Sequence, residues 1–316
     1  MRLARDVAIF LALQAAVFLA VDAAYMRYVG REHYLASLRD KTARLAEVRP
    51  PRILLVGGSN AAFGVNSAAL ERSSGRPVVN LGLNAGLGRD FILAQASAAV
   101  QPGDLVVLMP EYDFLAPYAL VDAPTLLLVM RLAPETVRFV PLSAVPQLLD
   151  HGLGTVTVRL RALGAVVRGQ PWRDPLYYRQ AFDARGDMTA HLALPPAGAG
   201  GKHGGVWLAQ TAGPACRRLS DFARDAHARG ARVVIVPPPI PGDDAVRQAE
   251  AIAALWERVD RETGIPVLGA RKIYDRSLFL DTAYHLAASG REQRTRHLVD
   301  LLRRFEDGSA AGTPRP

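Results

Sequence analysis

Short apolar segments recur along this chain with helical patterns between them, and this alternation limits the possible folds more than any other feature. The strand candidates are short and mostly apolar, at 53–56, 78–81, 104–109 and 232–236, with a shorter one at 266–268. The main helical patterns lie between or after them, at about 89–100, 215–229, 243–263 and 286–305. Apolar strands that alternate with helices are typical of a parallel sheet covered on both faces. We therefore predict an α/β fold, a three-layer α/β/α sandwich with a mostly parallel, five-stranded sheet.

The first apolar segment is different, because its length approaches the thickness of a membrane. Residues 7–21 are almost all apolar, and two arginines precede them. A run of about 20 apolar residues spans a bilayer, and positive charge stays on the cytoplasmic side. We interpret residues 1–28 as an uncleaved transmembrane anchor. The alternatives are a signal peptide cut near 23–24 and an amphipathic helix buried in the domain. In both export interpretations the rest of the chain lies outside the cytoplasm.

The organisation of the remaining chain follows from breaks in the strand and helix pattern. Residues 29–51 carry mixed charge and end at two prolines, so we interpret them as a helical stalk. Residues 52–306 hold the alternating strands and helices, and an insertion at about 115–210 interrupts them. The insertion is either a lid or acceptor platform over a site or an additional packing layer. The tail at 307–316 is predicted to be disordered.

Composition excludes several classes of function. The net charge is +8, but no segment interleaves basic and aromatic residues, so no nucleic-acid partner is expected. The single cysteine, Cys216, rules out an intrachain disulfide and a cysteine-based zinc site. The histidines and carboxylates lack the paired spacing of metal ligands, and no dinucleotide-binding fingerprint is present. We expect no metal and no cofactor.

A serine follows the first predicted strand directly. The segment 57–60 reads Gly-Gly-Ser-Asn, and its glycines allow a sharp turn and the close approach of a ligand. Ser59 then stands near the N-terminus of the next helix, where amide donors and the helix dipole favour a developing negative charge. Gly-Gly-Ser turns are common, so this feature alone is weak support for catalysis.

An aspartate and a histidine lie close together near the other end of the chain. Asp281 and His285 precede the last predicted helix. A carboxylate that holds one imidazole nitrogen leaves the other free to take the proton of a serine hydroxyl. Serine needs such a base, because its own hydroxyl is too weakly acidic to attack unaided. Alone, the pair is equally consistent with a helix cap beside a packed histidine.

The serine and the Asp/His pair should meet, because both lie at the carboxyl edge of the predicted sheet. Taken together, the segments 57–60 and 281–290 resemble the SGNH hydrolase superfamily. That family has its nucleophile after the first strand and its Asp and His just before the final helix. The resemblance covers roughly 52–113 and 215–305 and does not explain the insertion at about 115–210.

The resemblance implies a role for each of these residues. Ser59 is expected to be the nucleophile, His285 its base, and Asp281 the residue that orients the base. The separation of four positions between Asp281 and His285 is one longer than the commonest spacing in the family. The implied architecture is the SGNH form of the sandwich, which is flavodoxin-like.

The middle blocks of the family are matched less well, and they concern the oxyanion hole. The second block supplies a glycine amide, for which Gly86 or Gly82 is the candidate here, beside the amide of Ser59. The third block usually supplies an Asn side chain, and the third strand here ends without one. Asn84 and Asn60 are the possible substitutes. A missing donor costs about 10²–10³ in rate.

Two carboxylates, Glu111 and Asp113, stand where the third block would be. Together with Asn60 they are candidates for the substrate pocket, where a carboxylate binds a sugar hydroxyl. The alternative is a solvated loop that does not contact substrate.

Relatives of this anchored and exported kind add or remove acetyl groups on extracellular polysaccharides, or help to D-alanylate wall polymers. The resemblance therefore implies an esterase or O-acyltransferase that acts on acyl esters, acetyl being the first candidate, of envelope polysaccharide. It implies a single-pass protein of a bacterial inner membrane, mostly periplasmic, working by analogy beside a membrane-bound O-acyltransferase. The alternative is a catalytically weak binding or assembly component, favoured by the missing third-block Asn and the large insertion. A soluble lipase-like enzyme is disfavoured by the anchor.

Overall fold

A computed structural model describes residues 2–116, 120–152, 155–170, 174–197, 213–270 and 272–310. The strands are β1 (Ile53–Gly57), β2 (Val78–Asn80), β3 (Leu105–Met109) and β4 (Arg232–Ile235). The α-helices are α1 (Arg2–Tyr28), α2 (Ser37–Glu47), α3 (Ser59–Gly64), α4 (Ser67–Ser74), α5 (Arg89–Ala99), α6 (Ala123–Leu132), α7 (Val145–Gly152), α8 (Thr155–Val167), α9 (Gly213–Ala228), α10 (Gly242–Arg247), α11 (Ala249–Thr263) and α12 (Ala288–Ala310). Short 3-10 helices lie at Gly30–Glu32, Tyr34–Ala36, Ala85–Leu87, Tyr112–Leu115, Pro134–Phe139, Leu142–Ala144, Arg179–Ala181, Ala190–Ala193 and Arg276–Leu278.

The chain divides into two compact units. The smaller unit consists of Met1–Ser37 and Ala123–Ala181, and the larger of Leu38–Asp122 and Phe182–Pro316. All four strands belong to the larger unit, whereas α1, α6, α7 and α8 belong to the smaller one.

The larger unit is built on a four-stranded parallel sheet in the order β2-β1-β3-β4. In the central strand β1, Ile53 lies opposite Val78 of β2 and Leu105 of β3. The first three strands are buried along their whole length, which explains why their sequences are apolar without alternation. The α/β class and the parallel sheet predicted from the sequence are confirmed.

The prediction of a fifth strand at 266–268 is wrong. This segment forms an isolated parallel bridge between Val267 and Ile235, with one backbone hydrogen bond on either side of it. Pro266 has no N–H group with which to donate to a ladder, so pairing does not extend beyond this bridge.

The strand order creates a crevice at the carboxyl end of β1. The connection after β1 leads to β2 on one side, and the next connection leads across to β3 on the other side. Ligands of open parallel sheets bind where the connections part in this way. Ser59 follows β1 and Glu111 follows β3, so both residues lie at this crevice.

The last helix is packed beside the helix that begins at Ser59. α12 contacts both α3 and α4, and its Leu298 and Leu302 join the core formed by apolar residues of β1, β3 and β4. The segment that precedes α12 is thereby directed toward the carboxyl edge of the sheet.

The smaller unit contains the segment predicted to be an anchor. Within the described ranges, α1 is the one helix long and apolar enough to cross a membrane. The mean hydropathy of its most apolar 18-residue window is 2.2, and 6% of that window is buried. The carboxylate of Asp22, near its end, forms ion pairs with Arg131 of α6 and Arg159 of α8. By length and composition, α1 is consistent with a single-pass anchor.

The segment predicted to be a stalk is packed rather than free. Residues 29–51 form two 3-10 helices and α2, and the side chains of Leu38 and Lys41 in α2 are buried. The sequence did not indicate this packing, because mixed charge is typical of an exposed helix. Lys41, one of the charged residues, is nevertheless buried.

The boundaries predicted for the insertion and the tail also differ from those observed. Ala123–Ala181 belongs to the smaller unit, while residues 182–197 belong to the larger one. The predicted disordered tail begins inside α12, which continues to Ala310. Residues 311–316 and 198–212, the end of the predicted insertion, lie outside the described residues.

A buried carboxylate joins residues 182–197 to the elements that surround α3. Asp187 accepts hydrogen bonds from Ser67 Oγ (2.6 Å), Asn80 Nδ2 (2.8 Å) and Arg291 Nη2 (2.7 Å). These partners belong to α4, β2 and α12. Because Asp187 is fully buried, these hydrogen bonds compensate the loss of its hydration.

A buried lysine leads to a prediction about stability and pH. Lys41 Nζ donates to the carbonyl oxygens of Asn80 (2.9 Å) and Gly186 (2.5 Å). Burial lowers the pKa of Lys41 from 10.5 to about 7, although the charge of Asp187 opposes this shift. Between those two pH values the unfolded chain holds a proton that the folded protein lacks, so Lys41 adds stability as the pH rises.

We therefore expect the free energy of unfolding of the wild type, relative to Lys41→Met, to rise between pH 7 and pH 10.5. The slope should reach at most about 1.4 kcal/mol per pH unit. Urea unfolding across this range measures it, and Lys272→Met, at an exposed lysine, is the matched control. A flat difference for Lys41→Met would contradict the lowered pKa.

Candidate active site

The turn between β1 and α3 places Ser59 at the edge of the sheet. β1 ends at Gly57, and Ser59 is the first residue of α3. A Cβ atom on Gly58 would lie 2.6 Å from Glu111 Oε1 and 3.0 Å from the backbone nitrogen of Ala85. Only glycine allows this approach, so the turn predicted from the sequence is required by close packing against two neighbouring loops.

The loop that carries Asp281 and His285 is closed by its own backbone. The amide of Leu280 donates to the carbonyl oxygen of His285 at 2.8 Å. Thr282 Oγ1 accepts hydrogen bonds from the amides of Tyr284 and His285. This tight loop brings the two side chains together despite a separation of four positions.

The structure brings Ser59, Asp281 and His285 into one hydrogen-bonded chain. His285 Nε2 lies 2.8 Å from Ser59 Oγ, and His285 Nδ1 lies 2.8 Å from Asp281 Oδ1. With a proton on Nδ1, the imidazole donates to Asp281 and its Nε2 accepts from the serine hydroxyl. The imidazole side chain is 8% exposed and the carboxylate 38% exposed. The arrangement is that of a nucleophile, a base and a residue that orients the base.

The imidazole is also held by an aromatic ring. Phe63 is stacked on His285 with ring centroids 4.0 Å apart and planes inclined by 5°. His191 packs against Phe63, with centroids 4.7 Å apart. Burial, the largest cause, lowers the pKa of His191 to about 4, so this second histidine is neutral at pH 7. Phe63 therefore limits the motion of the base without adding charge beside it.

A carboxylate lies on the other side of Ser59. Glu111 Oε1 accepts hydrogen bonds from the amide of Asn60 (3.0 Å) and from Asn60 Nδ2 (3.2 Å). It also lies 3.4 Å from Ser59 Oγ, a much longer contact than the 2.8 Å between Ser59 Oγ and His285 Nε2. The single hydroxyl proton of Ser59 is therefore directed at His285. Glu111, which was predicted as a pocket residue, is buried beside Ser59.

The side chain of Asn60 does not reach the crevice, so it is corrected as a pocket residue and as an oxyanion donor. Its Nδ2 donates to the carbonyl of Met109 and to Glu111, and its Oδ1 accepts from Arg294 Nη2. Arg294 also donates to the Asn60 carbonyl at 2.9 Å. Asn60 is fully buried and ties α3 to β3 and α12.

The glycine amides predicted for the oxyanion hole have other partners, which corrects that prediction. The amide of Gly86 donates to Asn84 Oδ1 at 2.6 Å, and the amide of Gly82 donates to Asn80 Oδ1 at 3.0 Å. Asn84 is the residue that caps the 3-10 helix at Ala85–Leu87. These contacts are local, because each acceptor lies two positions before its donor.

Two other amides near this turn are the remaining candidates for oxyanion donors. Among the described residues, no acceptor takes a hydrogen bond from the amide of Ser59 or of Ala85. Both residues begin a helix, where backbone N–H groups have no partner within the helix. The Ala85 nitrogen lies close to Gly58, because a Cβ atom added to Gly58 would lie 3.0 Å from it.

A cavity opens beside Ala85. It has a volume of about 310 Å³ and its lining includes Ala85, Gly86, Arg89, Asp113 and Asp122. The side chain of Asp113, a predicted pocket residue, is exposed and lines this cavity. The charges of Glu111 and Asp113, after burial as the largest cause, raise the pKa of Tyr284, the residue before His285. Because Ala85 lines the cavity and its nitrogen lies close to Gly58, the cavity lies beside the turn that carries Ser59.

Several of these residues and contacts were not predicted from the sequence. Phe63 lies four positions after Ser59, and this spacing puts both side chains on one face of a helix, so the pattern was a usable signal. The residues next to Ala85 and Glu111 in the sequence do not indicate that the amide of Ala85 lies close to Gly58 or that Glu111 contacts Ser59. In the described ranges, no group of three or more His, Cys, Asp or Glu side chains is arranged to hold a metal.

The lone thiol does not take part in this site. Cys216 is buried in α9, and burial raises its pKa to about 11. A protonated, buried thiol is a poor nucleophile.

Comparisons with known proteins do not assign the chain to a family. It matches no protein-family model, and no curated protein sequence matches it. The interpretation of the site therefore depends on its own geometry and on the resemblance of its motifs.

Proposed function

We propose that the protein is an SGNH-type serine esterase or O-acyltransferase that acts on acyl esters of envelope polysaccharide. The observation that carries this proposal is the pair of 2.8 Å contacts that link Ser59 to His285 and His285 to Asp281. Ser59 and His285 are 226 positions apart, so a local sequence preference does not account for their meeting.

The acylation step follows from these contacts. His285 Nε2 takes the hydroxyl proton of Ser59, and Ser59 Oγ attacks the carbonyl carbon of the ester. The carbonyl oxygen becomes an oxyanion, for which the amides of Ser59 and Ala85 are the available donors. When the intermediate collapses, the alcohol leaves with the proton from His285, and the acyl group remains on Ser59.

The second step releases the acyl group. Water or a sugar hydroxyl gives its proton to His285 and attacks the acyl carbon, and Ser59 recovers its proton as it leaves. Asp281 accepts the Nδ1 hydrogen throughout and stabilises the imidazolium in both steps. Water as acceptor gives hydrolysis, and a sugar hydroxyl gives acyl transfer.

The proposed setting is a membrane, with α1 as a single-pass anchor in a bacterial inner membrane and the larger unit in the periplasm. The positive residues before the apolar span support this orientation. A membrane-bound O-acyltransferase is the proposed partner, by analogy with other anchored members of the superfamily. The acetyl ester is the first substrate to test.

A fluorophosphonate probe tests the proposal directly. We expect the full-length protein in detergent to form a covalent adduct on Ser59, because this reagent reacts with serines that a neighbouring base activates. Peptide mass spectrometry locates the adduct. Ser220→Ala, at a serine of α9, should react like the wild type, whereas Ser59→Ala should not. Equal labelling of the wild type and Ser59→Ala would exclude Ser59 as the nucleophile.

Glu111 supports a second candidate function, a binding or assembly component with weak catalysis. A carboxylate 3.4 Å from Ser59 Oγ opposes negative charge on the oxyanion. If the protein has this role, it should bind envelope polysaccharide without consuming acyl esters. Retained polysaccharide binding together with an unreactive Ser59 would favour it over the enzyme.

A further inference from the structure

Helix α8 of the smaller unit exposes large apolar side chains. Val158 is 63% exposed, Leu160 51% and Val167 86%. The helix and the residue that follows it also carry Arg161 and Arg168, both exposed, and α8 has no acidic residue. Surface helices of soluble proteins normally expose polar side chains, so this composition indicates a partner that is apolar and anionic.

The place of α8 in its unit identifies that partner. α8 packs along α1, and Arg159 fixes the register by its ion pair with Asp22. The Arg159 guanidinium lies 5.9 Å from the centre of the Phe18 ring and 5.8 Å from that of Tyr25. The part of α1 beside α8 is therefore its last three turns.

The length of the apolar span places those turns in the bilayer. The charged residues that precede the apolar span end at Asp6, so the span begins at Val7. A helix needs about 20 residues to cross the hydrocarbon core, which carries the span to about Met26. The turns from Phe18 to Tyr25 then lie in the far leaflet. The buried ion pairs of Asp22 fit this depth, because a carboxylate inside a membrane requires a partner.

We propose that α8 lies at the boundary between headgroups and acyl chains of the non-cytoplasmic leaflet, beside α1. Val158, Leu160 and Val167 contact acyl chains there. Arg161 and Arg168 reach the phosphates of anionic lipids, and their aliphatic stems remain in the apolar layer. This inference rests on the proposed anchoring by α1, and the occupant of the surface is lipid.

Depth-dependent quenching in the full-length protein tests the proposal. Cysteines are introduced one at a time by Val158→Cys, Leu160→Cys and Val167→Cys and labelled with an environment-sensitive nitrobenzoxadiazole fluorophore. Cys216 is buried and should stay unlabelled, which labelling of the parent protein verifies. The labelled proteins are reconstituted in vesicles of phosphatidylethanolamine and phosphatidylglycerol that contain lipids with a nitroxide on the acyl chain. Val17→Cys, on an exposed position of α1, and Asp221→Cys, on α9, are the two reference sites.

We expect blue-shifted, nitroxide-quenched emission at the three α8 sites, with stronger quenching by a nitroxide near the headgroups than by one at the chain end. The Val17 site should show the reverse depth order, and the Asp221 site should not be quenched. Emission at the α8 sites like that of Asp221, with Val17 quenched, would overturn the lipid contact but leave the anchor intact. Absence of quenching at Val17 would overturn both the anchor and this inference. Fluorophosphonate labelling of the same samples reports on Ser59 separately, so failure of the enzymatic proposal is distinguishable.

Discussion

Replacing Ser59 or His285 by alanine is expected to lower kcat for hydrolysis of a small acetyl ester by at least about 10⁴-fold. The hydroxyl of Ser59 and Nε2 of His285 are 2.8 Å apart, and the proton passes between them. Loss of either residue therefore removes the same proton-transfer step. Asp281→Ala should cost less, by roughly one to two powers of ten, because Asp281 acts through His285 and does not itself take the proton. Its side chain is also 38% exposed, so water is able to take over part of its hydrogen bonding.

Steady-state hydrolysis by the full-length protein in detergent measures these differences. Ser220→Ala and His227→Ala, at a serine and an exposed histidine of α9, are the matched controls. Unfolding curves for each variant separate loss of activity from loss of the fold. A Ser59→Ala protein with the activity of the wild type would show that hydrolysis occurs elsewhere. Additive losses in the double variant of Ser59 and His285 would contradict a shared step.

Replacing Glu111 by glutamine is expected to raise kcat by about 10²-fold. Two unit charges 4 Å apart interact by about 4 kcal/mol at an effective dielectric constant of 20, so an ionised Glu111 disfavours the oxyanion. Glutamine has nearly the same shape, and its oxygen still accepts from the amide of Asn60. Its NH₂ group adds a donor of the kind that contributes about 10²–10³ in oxyanion holes.

The same hydrolysis assay measures this gain, with Glu250→Gln, at an exposed glutamate of α11, as the control. An increase that disappears in the double variant with Ser59→Ala would link it to the proposed nucleophile. A decrease for Glu111→Gln would instead show that the carboxylate assists the reaction, for example by holding Asn60 and α3 in place. The assembly role would then lose its main structural support.

The parallel sheet was predictable because its strands are buried on both faces, and burial leaves a continuous apolar run in the sequence. The fifth strand was overpredicted from the same signal, because three apolar residues that include Pro266 do not form a ladder. The packing of the segment interpreted as a stalk was missed for the opposite reason. Lys41 has the appearance of a surface residue, yet two carbonyl oxygens accept its hydrogen bonds in the interior.

The sequence by itself indicated the turn at Ser59 through its two glycines. It also indicated the loop from Asp281 to His285, whose hydrogen bonds join residues a few positions apart. It also indicated that their side chains meet, since the carboxyl ends of parallel strands share one edge of a sheet. Only the tertiary structure decided what surrounds the nucleophile. Glu111 lies 52 positions from Ser59, and its 3.4 Å contact depends on the packing of β3 against β1. Within the described ranges the amides of Ser59 and Ala85 have no acceptor, and this was likewise decided by packing, because a donor is available only where the folded chain leaves it without an acceptor.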